Sequence, residues 1–208
     1  MKINKKVFLG VCFIIILICI FIFAKNIYKK SSFGNTNIGN SKEEVLKNIL
    51  NINSYTAKIE VSVTSNKNEN KYVLSQEYTA PNTAKQTVIE PSNIEGLTIC
   101  DEENKLTINN TQLNLSKIYE NYNYITENHL FLNTFVENFK NCEESKVEEN
   151  ENEIILKTHI KNNNKYMVNK TLYVDKQSKK ISKMEIEDLN QNVIVYIVYN
   201  EITTNSSK

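Results

Sequence analysis

The spacing of hydrophobic residues changes several times along this chain, and each change predicts an element. From Val7 to Ala24 there is no period at all: VFLGVCFIIILICIFIFA is apolar throughout, with no charge, Asn or Pro. A helix of that length spans about 27 Å, close to the roughly 30 Å hydrocarbon core of a bilayer, and it offers water no polar face. Ser31 to Asn40, SSFGNTNIGN, has little to bury and predicts a flexible linker. Ser41-Lys42-Glu43-Glu44 then has the form of a capping box. Val45, Leu46, Ile49, Leu50 and Ile52 follow at helical spacing, predicting an amphipathic helix of about three turns.

Beyond that helix the period becomes two. Tyr55, Ala57, Ile59, Val61 and Val63 alternate with polar residues, as a half-covered antiparallel strand requires. A turn over 66–70 leads to a strand from Lys71 to Ala80. Turns at Pro81-Asn82, Pro91–Asn93 and Asp101–Asn104 delimit further strands over 83–90, 94–100 and 105–108. Short strands joined by short turns predict a meander paired in sequence order. The Tyr- and Asn-rich stretch from Leu113 to Tyr124 fits no template. Thr126-Glu127-Asn128 opens a second predicted helix, with Phe131, Leu132, Phe135, Val136 and Phe139 on one side. Phe131, Phe135 and Phe139, spaced i, i+4 and i+8, form a ridge that something must cover. After an acidic run from Glu143 to Glu153, strands are predicted over 153–160, 166–175, 181–188 and 193–203. The last of these, VIVYIVYNEI, is apolar on both faces and is expected where both are covered. The fold class is therefore α+β: a strongly bent antiparallel sheet over residues 41–205 with helices in its concave face, preceded by one transmembrane helix.

The flanks of the apolar segment favour a permanent anchor. Ala24 is followed at once by Lys25-Asn26-Ile27-Tyr28-Lys29-Lys30, where a cleaved signal peptide needs small residues. Residues 1–30 are thus read as a membrane anchor with basic flanks. A short N-terminal tail favours an inside N-terminus and an extracytoplasmic domain. All 25 basic residues are Lys, the mark of an AT-rich genome rather than of a ligand preference. With the anchor's lysines set aside, the remainder carries all 24 acidic residues against nineteen Lys, a net charge near −5. That balance, with no basic stripe, argues against nucleic acid as a partner.

No catalytic, metal or cofactor site emerges from the motifs. His129 and His159 stand apart, with no second ligand at metal spacing. The acidic stretches Asp101–Glu103 and Glu143–Glu153 lack the calcium-loop pattern and read as solvated turns. Only four Gly are present, and there is no nucleophile elbow, P-loop or dinucleotide fingerprint. Cys100 and Cys142 are the one cysteine pair outside the apolar segment. They are either a disulfide closing about forty residues, two reduced thiols, or an intermolecular link.

The helix, the Tyr-x-Ala strand from Tyr55 to Val63, the run of hairpins and the segment ICDEENKLTIN resemble the LolA/LolB lipoprotein-carrier superfamily. So does the ending LYVDKQSKKISKMEIEDLNQNVIVYIVYNEITTN. Within that superfamily the chain looks most like the GerS-type germination lipoproteins of spore-forming clostridia, over about Ser41 to Asn205. The resemblance implies an incomplete β-barrel with helices packed into its mouth. It also implies a non-enzymatic role, in binding a cortex-modifying amidase of the CwlD type. The N-terminus departs from a lipoprotein pattern: neither Cys12 nor Cys19 is placed for lipid attachment. Two functions follow. One is a scaffold that docks an exported cell-wall amidase. The other is a carrier holding a lipid acyl chain in a cavity lined by Ile59, Val61, Leu74, Leu156, Leu172, Met184 and Ile186, with the Phe131–Phe139 helix as lid. Those residues equally suit a packed core. A tethered protein cannot travel between membranes, which favours the scaffold. Open strand edges also allow a homodimer.

Overall fold

The structure, a computed structural model, describes residues 38–65, 68–103, 105–110, 112–122, 128–160 and 165–206. The anchor from Val7 to Ala24, most of the linker, and Thr126-Glu127 lie outside them. Among the described residues no helix is long and apolar enough to cross a membrane. The chain divides into two compact units, residues 1–44 and 45–208.

Helix α1, Ile38–Leu50, crosses that division. It begins three residues before the capping box expected at Ser41, because no proline bars helical backbone at Ile38–Asn40. Val45 and Ile49 are buried, and Leu46 and Leu50 pack against the same cluster, as the helical spacing predicts. Asn51 closes the helix: its main-chain N–H and its Nδ2 both donate to the carbonyl of Lys47, at 3.2 and 2.9 Å.

Eleven antiparallel strands form one sheet in the order β6-β5-β4-β3-β2-β1-β11-β10-β9-β8-β7. They are β1 (Ile52–Thr64), β2 (Glu69–Thr79), β3 (Thr83–Glu90), β4 (Thr98–Glu102), β5 (Lys105–Asn110), β6 (Leu115–Glu120), β7 (Lys146–Glu149), β8 (Glu153–His159), β9 (Asn169–Asp175), β10 (Ile181–Glu187) and β11 (Val193–Ser206). Strands consecutive in sequence are neighbours in the sheet except β6 and β7, and among the described residues only the pairing of β1 with β11 joins distant parts of the chain. That central pair runs from Ile52 opposite Ser206 to Val63 opposite Val195. The sheet stays open, with β6 and β7 at its two edges.

Helix α2, Leu132–Asn141, packs against β8. It starts later than expected, because Asn128 to Phe131 are spent on a turn rather than on helix. Asn128 Oδ1 accepts the N–H of Leu130 at 3.0 Å, and the Thr134 hydroxyl donates to the Phe131 carbonyl at 2.7 Å. His129 therefore sits in that turn and not on a helix. Two strands escaped the sequence reading: β6, in the Tyr- and Asn-rich stretch, and β7, inside the acidic run.

The expectation for β11 needs correction. Val195, Ile197 and Tyr199 are buried on one face, but on the other Tyr196 is 37% exposed and Ile194 and Val198 are only half-buried. On that second face Tyr196 meets the Lys183 ammonium, whose Nζ lies 5.7 Å from the ring centroid.

Candidate docking surface

The seven residues read as a cavity lining do come together. Cross-strand pairing aligns Ile59 with Leu74, Leu156 with Leu172, and Leu172 with Met184. Val61 and Ile186 fall on the same face by parity. All seven are 0–4% exposed and belong to one apolar cluster with Val45, Ile49 and the buried side of α2. Exposures this low leave no room for a water molecule beside them. The row is a filled core. Phe131 and Phe135 sit wholly inside it, while Phe139 is half-buried with its ring 5.9 Å from that of Phe135.

Polar struts run through this core, and the sequence reading missed them. The Tyr55 hydroxyl accepts the N–H of Leu132 at 3.0 Å and donates to Gln76 Oε1 at 3.3 Å. Gln76 Nε2 in turn donates to Gln86 Oε1 at 3.1 Å and to the Leu130 carbonyl at 3.4 Å. The sheet thereby holds the start of α2 by directed bonds as well as by apolar contact. Burial, with the nearby Tyr199 phenol adding to it, pushes the Tyr55 phenol well above its usual range.

The second strut is Lys170, fully buried on β9, whose Nζ donates to Thr134 Oγ1 at 2.9 Å. Desolvation lowers its amine to about 7, against a partial pull upward from the Glu137 carboxylate. His129 is lowered to about 4, first by burial and then by Lys170. A signal for Lys170 lay in the sequence: it shares strand parity with Leu172 and Val174, which places it on the inner face.

Neither cysteine is in a disulfide. The thiol of Cys100, on β4, is raised by burial and then by Glu102. The thiol of Cys142, at the end of α2, is lowered, chiefly by a hydrogen bond from the main chain of His159. The imidazole of His159 turns elsewhere, with Nε2 3.2 Å from Glu144 and Nδ1 2.6 Å from Asn169 Oδ1. Thiol and imidazole are therefore not arranged as nucleophile and base. Asp101 is buried, against the expectation of a solvated turn, because its position on β4 pairs it with Ala84 and Leu106, both core residues. Among the described residues no group of three or more His, Cys, Asp or Glu is placed to hold a metal ion.

An open groove of about 740 Å³ lies at one end of the sheet, lined in part by Val63, Lys165, Tyr166, Asp188, Leu189 and Ile194. Tyr166 and Leu189 are 64% and 68% exposed. The turn holding Leu189 is shaped by Asp188, whose Oδ1 accepts the N–H groups of Asn190 and Asn192 at 2.8 and 2.9 Å. Exposed aromatic and aliphatic groups on a fixed turn, beside one Lys and one Asp, form a surface of the kind proteins use to meet proteins.

Comparison with known proteins places the chain. It is similar to a chain in the structure of the CwlD amidase from Clostridioides difficile in complex with the GerS lipoprotein: 26% identity, covering 84% of this chain and 96% of that one, TM-score 0.45. It also resembles an uncharacterized conserved protein from Thermus thermophilus, with 10% identity over 81% and 90% of the two chains and TM-score 0.50. A LolA superfamily protein from Nitrosomonas europaea matches at 10% identity over 80% and 94%, TM-score 0.41. No curated protein matches in a sequence search. A family model described as sporulation protein YdcC-like matches residues 10–207, nearly the whole length, and the chain belongs to that YdcC-like sporulation family.

Proposed function

We propose that this chain is a non-enzymatic protein of sporulation and germination that docks a cell-wall amidase of the CwlD type. Residues 1–30 tether it to the membrane, 31–40 give it reach, and 41–205 form an extracytoplasmic domain curved as an incomplete barrel around α2. Membership of a sporulation family supports the setting. The 26% identity to a chain of the GerS–CwlD complex supports the partner. One observation carries the choice of a docking protein over a carrier: the row proposed to line a lipid cavity is packed solid and stoppered by Phe131, Leu132 and Phe135. A protein with a filled interior meets its partner on its outside, and the groove at Tyr166 and Leu189 is one place where apolar surface is presented.

The test is capture with the tagged full chain from membranes of sporulating cells. Recovery of a peptidoglycan amidase, reduced by Tyr166→Glu with Leu189→Glu, is the expected result. Recovery of lipid without amidase overturns the reading in favour of the carrier. Resistance of the chain to alkaline extraction from membranes, with protease access from outside the cell membrane, tests the tether and its orientation.

A further inference from the structure

The two edges of the sheet are built differently. At one edge, β7 is only four residues long, and its side chains are tied into ion pairs: Lys146 with Glu148 at 3.2 Å, Lys157 with Glu148 at 2.6 Å, and Lys176 with Glu149 at 3.3 Å. Short, charged edges resist the addition of another strand. The opposite edge, β6, is six residues long and carries the reverse character. Leu115 and Ile118 on the strand are 43% and 51% exposed, and Leu113 and Tyr122 flank it at 57% and 44%. Among the described residues nothing pairs with the outer edge of β6. Its free N–H and C=O groups face outward, and apolar side chains stand on both of its faces.

Charge sets the polarity of what can bind. Register places Glu102 opposite Lys105, and Lys105 opposite Glu120, in a row across β4, β5 and β6. Glu103 adds a third carboxylate to the groove of about 630 Å³ that this row lines. One lysine among three carboxylates leaves the Glu120 end of the edge negative. Every pairing in the sheet is antiparallel, so a strand continuing it runs antiparallel to β6 and brings its amino-terminal end to Glu120.

We infer that β6 is a strand-addition site for an extended segment of a partner protein, with apolar side chains on both of its faces, opposite Ile118 and Leu115, and a basic residue at its amino-terminal end. Main-chain hydrogen bonds supply the attachment. Leu115 and Ile118 select apolar cross-strand neighbours, and Glu120 with its companions selects the basic end. The inference deepens the docking reading and takes its physiological meaning from it, but the test below runs without any amidase, so either can fail alone.

The detergent-solubilised full chain is titrated with the acetylated, amidated peptide Lys-Thr-Val-Thr-Thr-Val, which sets Lys opposite Glu120 and Val opposite Ile118 and Leu115, while amide hydrogen exchange is followed by mass spectrometry. Exchange over residues 115–120 is expected to slow as the peptide saturates, while β7 stays unchanged. A Glu-led peptide binds about three- to fivefold more weakly, the size of one cross-strand charge pair. Glu120→Lys reverses that preference, and Ile118→Asp weakens both peptides without altering exchange in the core strands. Absence of protection at 115–120, protection equal for a peptide interrupted by Pro, or a preference that Glu120→Lys leaves unmoved overturns the inference. So does protection of the same amides that grows with chain concentration alone, because a second copy would then be the occupant.

Discussion

Replacing Lys170 by Met should stabilise the fold, and by an amount that depends on pH. The amine lies wholly inside the core, and burial lowers it from 10.5 in the unfolded chain to about 7 in the folded one. Because the folded pKa is depressed, the folded state binds fewer protons between those values. Stability from this group is therefore complete only above pH 10.5 and falls as pH drops towards 7. The full penalty is about 5 kcal/mol for a shift of that size. At pH 7 most of it is present; at pH 9 roughly 2 kcal/mol remains. Methionine fills the same channel without a charge and forfeits one hydrogen bond to Thr134, a loss of about 1 kcal/mol. Thr134 keeps its bond to the Phe131 carbonyl. The expected net gain is about 3–4 kcal/mol at pH 7 and about 1 kcal/mol at pH 9. Urea unfolding followed by tyrosine fluorescence reads this directly, as a midpoint shift of roughly 1 M or more at pH 7. A Lys170→Met variant less stable than the parent, or a gain that does not shrink as pH rises, would refute the reasoning.

Other substitutions test the remaining struts. Tyr55→Phe removes the acceptor of the Leu132 N–H and the donor to Gln76 Oε1 and should cost about 1–3 kcal/mol, with faster amide exchange at the start of α2. Phe135→Ala empties the centre of the core and should cost about 3–5 kcal/mol in chemical denaturation. His129 has a depressed folded pKa of about 4 against 6.5. It contributes stability above pH 6.5 that is lost as pH falls towards 4, so the drop in Tm across that window should be smaller in His129→Gln. Iodoacetamide at pH 8 should label Cys142 before Cys100, since hydrogen bonds favour one thiolate and burial opposes the other; mass mapping of the adducts decides.

Legibility along the chain followed burial. Thr83–Glu90 was readable to the residue because Ala84, Gln86 and Val88 face the core between two turns. Ile59, Val61 and their partners were readable because one face is apolar and the other polar. β6 hid because an edge strand exposed on both faces leaves no alternation in its sequence. β7 hid because Val147 alone of Lys146–Glu149 is apolar and packs on the core, while ion pairs to β8 and to Lys176 hold the rest, which leaves no alternation to read. The distinction between filled core and cavity was hidden for a deeper reason. Leu, Ile and Met line both, and only the depth to which α2 inserts Phe131 and Phe135 separates them. The clue to that depth, Tyr55 reaching Leu132 across 77 positions, is a contact no local pattern encodes.

That insertion also sets how the protein should treat lipid. Freeing the interior means withdrawing Phe131, Leu132, Phe135 and Val136, all buried, at roughly 1.5–3 kcal/mol each, or about 6–12 kcal/mol together. Breaking the Tyr55–Leu132 and Lys170–Thr134 bonds adds to this. An acyl chain gains about 0.8 kcal/mol for each methylene it buries, but the bilayer it leaves already provides the same gain. The methylene contributions cancel, and the opening cost stands as the net difference between membrane and protein. Transfer of a phospholipid into the core is then disfavoured by several powers of ten. Vesicles carrying a self-quenched fluorescent phospholipid should show no dequenching when the full chain is reconstituted with acceptor vesicles, beyond the rate without protein. Uptake of one fluorescent lipid per chain would mean that α2 yields far more easily than its buried side chains allow, and the docking role would lose its main physical support.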